Sequence, residues 1–119
     1  PRALQVRSCA EIGEALLYTT SPLLMEAADR EAFGRVEARV RLSRYGGDCY
    51  AYCMVAGGFG DLLIETELKP HDVVALIPII EGAGGVITDW EGGSAANGGR
   101  IVAAGDKRVH AEALAVLKG

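Results

Sequence analysis

Glu65 and Asp72 are the side chains of this sequence best suited to chemistry. They stand seven positions apart in the run Glu65-Thr66-Glu67-Leu68-Lys69-Pro70-His71-Asp72 and bracket a tight turn. Carboxylates in that arrangement can hold a metal ion or the hydroxyl groups of a polyol. Asp72 also falls where a helix should begin, which gives it a second reading. Aspartate is a favoured N-cap, because its carboxylate accepts backbone N–H groups of the first turn and complements the positive end of the helix dipole. Position alone leaves cap and ligand equally open.

The elements that must position these groups read as strand, turn, helix, turn, strand. Asp61 to Glu65 is a short leucine-rich and β-branched run, and Lys69-Pro70 then interrupts the ladder because proline has no N–H. The helix is expected to start at Asp72. Val73, Leu76, Ile77, Ile79 and Ile80 are apolar almost all round it, so it should be largely buried, and Gly82 to Gly85 should stop it before a strand over Val86 to Trp90.

The rest of the chain continues the alternation. A strand is expected at Leu4 to Arg7, a short helix at Ala10 to Ala15, and a strand at Leu16 to Thr19 that ends on the turn signal Thr20-Ser21-Pro22. An amphipathic helix over Ala27 to Ala38 and a strand near Val40 to Leu42 follow. Tyr45-Gly46-Gly47-Asp48 then turns into a helix carrying Cys49, Tyr52, Cys53 and Val55. A loop at Trp90 to Ser94, an apolar strand at Ile101 to Ala104 and a helix over Lys107 to Leu117 complete the pattern, which is that of an α/β sandwich. In such sheets the loops at the carboxyl ends of strands form the ligand crevice, so Asp48, Glu65 and Asp72 can share one pocket.

Composition narrows the function. The 119 residues, half of them hydrophobic, suit one domain over 1–119 with its own core. A net charge of -4 with both signs interspersed gives no footprint for nucleic acid or an anionic membrane surface. The longest apolar runs, such as Val73 to Ile80, fall well short of the roughly 20 residues that cross a bilayer, so a soluble domain is expected. Pro1 to Val6 shows neither an initiating methionine nor a leader and reads as the interior of a longer protein.

Of the three cysteines, Cys49 and Cys53 are spaced for one helix face, and buried thiols in a reducing cytoplasm are expected for all three, Cys9 included. His71 and His110 are too few and scattered for a zinc site, and His110 is expected on the polar part of the last helix. Gly57 to Gly60 precedes a strand, so it reads as a helix stop and not a phosphate loop. Ser8 and Ser21 have no histidine placed to activate them. Arg30, Arg35 and Arg39 read as a solvated helix face.

With these residues in hand, the sequence resembles the inositol monophosphatase family of magnesium-dependent phosphomonoesterases. The resemblance is carried by Glu65, by Asp72 seven residues on, and by the buried helix that ends Glu81-Gly82-Ala83-Gly84-Gly85-Val86-Ile87-Thr88-Asp89. Arg44 to Tyr52, Leu68 to Asp72 and Val102 to Asp106 are most similar to the histidinol-phosphate phosphatase branch. The likeness covers only the carboxy-terminal half of such an enzyme. The amino-terminal half would supply a glutamate and the Asp-Pro-Ile-Asp-Gly-Thr motif, and neither Asp-Pro nor Asp-Gly-Thr occurs here.

The resemblance implies a layered α/β/α sandwich forming the substrate-side domain, with no catalytic residue of its own. Asp72 would be the metal ligand for Mg2+ and would also touch substrate. Glu65 would bind substrate, and Gly46, Gly47 and Asp48 would line the alcohol side of the pocket, where Asp48 suits a cationic histidinol group. His71, the run Val74-Ala75-Leu76, and Glu67 in place of glycine depart from the family pattern. The implied reaction is hydrolysis of histidinol phosphate, with an inositol or sugar monophosphatase as runner-up. The expected partners are a small phosphorylated amino alcohol or polyol, the missing amino-terminal half and a second copy in a homodimer. A reading of another class is a noncatalytic fragment that associates with itself, because a truncated sheet leaves an edge strand and an apolar face uncovered.

Overall fold

The computed structural model describes residues 4–46 and 48–119, with only the backbone described for residues 48 and 49. The β-branched and leucine-rich runs form five strands: β1 (Leu16–Thr19), β2 (Leu42–Tyr45), β3 (Leu62–Leu68), β4 (Val86–Asp89) and β5 (Gly99–Ala104). The segments between them form α1 (Ala27–Glu37), α2 (Asp48–Ala56), α3 (Pro70–Gly82) and α4 (Lys107–Lys118). The sheet runs in the order β2-β1-β3-β5-β4. β1 is parallel to β2 and to β3, whereas β5 is antiparallel to both β3 and β4.

Side-chain alternation along the strands divides the core into two. Leu17, Leu62, Ile64, Val102 and Ala104 point to the side covered by α1 and α4, where they meet Phe33, Val36, Val109 and Leu117. Leu16, Tyr18, Leu63, Ile101 and Ala103 point to the other side and meet Tyr52, Val55, Val73, Leu76 and Ile80 of α2 and α3. The result is the expected α/β/α sandwich. Each fully buried aliphatic side chain, such as Ile64 or Leu63, contributes roughly 1.5–3 kcal/mol through removal from water.

Several local expectations are corrected. Leu4 to Arg7 is an irregular strap and not a strand: the Val6 N–H donates to the Ala83 carbonyl, and Arg7 turns its guanidinium onto buried Asp61 at 2.8 and 2.7 Å. Asp61 Oδ2 also accepts the Leu16 N–H at 2.8 Å, so the strap is anchored at the start of β1. The helix expected at Ala10 to Ala15 shrinks to a 3-10 turn at Ile12–Glu14. Ala15 is already extended, and its carbonyl takes the N–H of Arg41 on the way into β2.

His110 is buried instead of lying on a polar face, and its Nε2 is 2.8 Å from Thr88 Oγ1. Because that hydroxyl donates to the Asp89 carbonyl, the Nε2–H of His110 donates to it, and burial lowers the imidazole pKa. Arg35 is more than a solvated charge: its guanidinium donates to the Val116 and Leu117 carbonyls at 3.2 and 2.8 Å, satisfying the open end of α4. Of the thiols, Cys9 is buried as expected and its pKa is pushed up to about 11, chiefly by burial, but Cys53 is exposed on α2. The Cys49 side chain lies outside the described residues. Ser21 accepts the Leu23 N–H as a turn cap, which accounts for it without catalysis.

Candidate functional site

β1 connects through α1 to β2 on one side, while β3 lies on the other side of β1. The carboxyl ends of β1 and β3 therefore border a switch in strand order, the place where open α/β sheets leave a crevice. A cavity of about 510 Å3 lies there. Thr20, just past β1, Tyr52 of α2 and Glu65 of β3 form part of its wall. Leu68 and the first turns of α3, with His71, Asp72, Ala75 and Leu76, form the rest.

Glu65 is placed by alternation. It lies two residues beyond Leu63 on the face towards α2 and α3, and it is only 6% exposed. Its Oε1 accepts the Thr20 N–H at 2.8 Å and the Thr20 hydroxyl at 2.9 Å, which ties β3 to the residue following β1. The ladder slips between Glu65 and Leu68, and Glu67 takes a left-handed φ of 59°. That conformation costs a non-glycine residue roughly 1–2 kcal/mol, which explains why glycine would be the easier occupant of the position.

Asp72 resolves differently from the sequence expectation. α3 begins at Pro70, with Lys69 as its N-cap and no side chain capping it. Asp72 thus sits inside the first turn, where a carboxylate is favoured by the helix dipole without serving as the cap. Its side chain is 53% exposed, opens on the cavity and lies 3.4 Å from His71 Nε2. The structure thus brings Glu65 and Asp72 to one cavity, as the sequence suggested, and leaves Asp72 free of capping duty. α3 itself is buried along one face, at Val73, Leu76 and Ile80, and not all round.

Gly46 adjoins the site. Its N–H reaches the carbonyls of Thr19 and Thr20 at 3.0 and 2.8 Å, and its φ of 85° suits only glycine, so it closes the turn between β2 and α2 beside Thr20. Gly47 and the Asp48 side chain lie outside the described residues; Asp48 is the first residue of α2. Sequence reasoning missed Thr20 and Tyr52. Thr20 lay in a recognised turn signal, and Tyr52 follows Asp48 by one helical turn, but neither type points to a site by itself.

Tyr52 is 2% exposed, and its hydroxyl has no hydrogen-bond partner among the described residues. Burial and then the Glu65 charge raise its pKa, so the phenol stays protonated at neutral pH. The donors present are hard oxygens, the type magnesium prefers, but Asp72 offers a single carboxylate. Among the described residues no group of three or more acidic, histidine or cysteine side chains is gathered to hold a metal. A magnesium ion held beside Asp72 would therefore find one carboxylate there and no complete ligand set among the described residues.

With this geometry defined, comparison with known proteins identifies the lineage. Residues 2–118 match the inositol monophosphatase family. The chain belongs to that family. The chloroplastic bifunctional phosphatase IMPL2 of Arabidopsis thaliana is 46% identical over 124 residues, covering 97% of this chain and 36% of the relative. The histidinol-phosphatase of Chlorobaculum parvum is 30% identical over 90 residues, covering 75% of this chain and 35% of the relative. Among solved structures, an inositol monophosphatase from Zymomonas mobilis superposes with a TM-score of 0.94 at 38% identity, covering 98% of this chain and 47% of that one. The inositol monophosphatase family chain described here therefore spans between about a third and a half of the length of these relatives, and its family and relatives are phosphatases.

Proposed function

We propose that this chain is the substrate-side half of a magnesium-dependent phosphomonoesterase that hydrolyses histidinol phosphate to histidinol and phosphate in histidine biosynthesis, in the cytoplasm. The observation that carries this reading is the meeting of Glu65 and Asp72 in one cavity at the carboxyl ends of β1 and β3, within a chain of this family. The kinship with a histidinol-phosphatase favours the amino alcohol over inositol or a sugar, which remains the runner-up substrate class. Bound magnesium would neutralise phosphoryl oxygens, activate water and stabilise the leaving alkoxide. Asp72 would furnish one of its oxygen ligands.

Glu65, Asp48 and the Gly46-Gly47 turn would orient the alcohol. Glu65 is suited to this because Thr20 fixes its carboxylate in place, so little side-chain freedom is lost on binding. The remaining ligands and the attacking water belong to the missing half of the enzyme, so this chain alone should be inactive. The outer surfaces of α2 and α3 support such a partner. No charged residue occurs between Asp48 and Asp61 or between Asp72 and Glu81, and Tyr50 and Val74 are 67% and 53% exposed. α1 and α4, by contrast, carry charges along their lengths. Helices apolar on both faces are normally covered on both.

The test uses the intact protein. Asp72→Asn should lower turnover at saturating magnesium by at least about a hundredfold, as expected for loss of several kcal/mol of metal-borne charge stabilisation. Unchanged turnover would sink the metal assignment, and a panel of histidinol, inositol and sugar phosphates decides the substrate. The same apolar face also favours a second reading, a noncatalytic fragment that self-associates, and a homodimer is proposed for the intact enzyme. Calorimetric titration of the chain alone with magnesium tests this second reading: weak binding or none is expected, and tight binding without a partner contradicts it.

A further inference from the structure

Two buried hydroxyls lack hydrogen-bond partners among the described residues: Thr19 Oγ1 and Tyr52 Oη. Thr19 lies two residues beyond Leu17, on the α1 and α4 side of the sheet, away from the cavity. Tyr52 forms part of the cavity wall together with Glu65, whose charge it feels. A phenol left without a partner in a closed interior is unfavourable, because the hydrogen bonds it made to water in the unfolded chain are not replaced. Phenylalanine would fill the same space against Leu63, Val55 and Leu76 without that penalty.

We propose that Tyr52 is a specificity-determining residue, whose hydroxyl pairs with a hydroxyl or ammonium group of the substrate's alcohol portion seated against Glu65. The inference rests on the phosphatase reading of this cavity. A protonated phenol both donates and accepts. It can accept from the group whose proton Glu65 also attracts, or donate to a hydroxyl oxygen that a carboxylate cannot serve. Glu65 and Tyr52 together thus select a donor-rich alcohol over an apolar one. A site built to hydrogen-bond such a group rejects an analogue lacking it, because the protein's buried polar atoms are then left unpaired.

The experiment is Tyr52→Phe in the intact enzyme, assayed with histidinol phosphate and with phenyl phosphate, which has neither ring hydroxyl nor amine. KM for histidinol phosphate should rise about tenfold, as expected for one lost hydrogen bond, with kcat changed less than about threefold. KM for phenyl phosphate should be unchanged and the thermal midpoint no lower than wild type. Equal KM values for wild type and variant on histidinol phosphate would overturn the proposal. A lower midpoint with both substrates affected alike would assign Tyr52 a packing role and overturn it equally. If the wild-type enzyme hydrolyses no phosphate monoester, the phosphatase reading itself fails, and this inference falls with it.

Discussion

Replacing Glu65 by glutamine and by alanine separates what its oxygen does for the fold from what its charge does for the ligand. Oε1 accepts two hydrogen bonds from Thr20, at 2.8 and 2.9 Å, and the carboxylate is buried. Glutamine keeps a carbonyl oxygen at the same reach, so both bonds persist as neutral ones. A charge-assisted bond is about twice as strong as a neutral one, which sets the cost of Glu65→Gln at about 1 kcal/mol. Alanine removes the acceptor, leaves the Thr20 N–H and hydroxyl without it, and opens space in the wall; about 2–3 kcal/mol should be lost. Urea unfolding of the intact protein measures both. In steady-state kinetics, glutamine should already raise KM for a cationic alcohol about tenfold, since removing the charge turns an ionic contact into a neutral one. Alanine at wild-type stability would refute the anchoring of β3 to the end of β1. Glutamine with wild-type KM would refute the electrostatic role.

Two further changes probe the scaffold. A Cβ at Gly98, whose φ is 71°, would stand 2.3 Å from the Leu68 carbonyl oxygen, so Gly98→Ala combines left-handed strain with a backbone clash at the bulge and should cost about 3 kcal/mol by thermal or urea unfolding; a loss below about 1 kcal/mol would contradict the packing there. His110, held below its ordinary pKa by burial, stays neutral in the native state while the unfolded chain takes up a proton as pH falls through about 6.5. Its contribution is therefore complete above that pH and is lost as pH falls towards the native pKa. Unfolding free energies at successive pH values should show the decline, and His110→Gln should flatten it; an equal slope in the variant would clear His110 of the effect.

The fold was legible wherever local chemistry and tertiary demand agree. The strand at Leu16–Thr19, the helix from Ala27 and the stop after α2 follow from β-branching, apolar spacing and glycine, and the sheet uses them as they stand. The errors share a different cause. Leu4 to Arg7 has a strand composition, but Arg7 is claimed by a carboxylate 54 positions away, a contact that no local pattern encodes. His110 sits on a helix of otherwise ordinary amphipathicity, and only its distant partner Thr88 makes burial tolerable. Asp72 was ambiguous because the N-cap rule locates a helix start to within a residue or two, and proline at the first helical position moved that start upstream. In the site, acidic residues announce themselves, whereas Thr20 and Tyr52 acquire meaning only when β1, β3 and α2 converge.

Under the proposed phosphatase reading, that convergence would divide labour between this chain and the rest of the enzyme. The crevice between β1 and β3 exists because their onward connections leave in different directions, and its wall is held by bonds internal to this chain: Glu65 to Thr20, and Gly46 to Thr19 and Thr20. The proposed metal site, in contrast, would have one carboxylate here, Asp72, with no further cluster of ligands among the described residues. An alcohol subsite can thus be organised before the metal site is complete. The chain alone should therefore bind histidinol with a dissociation constant on the order of 1 mM, as befits a few hydrogen bonds and one charge contact. Inorganic phosphate, which needs the absent cations, should bind far more weakly. Chemical-shift titrations of the two ligands measure this directly, with Gly46, Thr20 and Tyr52 as reporters. Phosphate binding as tightly as histidinol, or histidinol leaving those signals unmoved, would show that the alcohol side is not organised by this half.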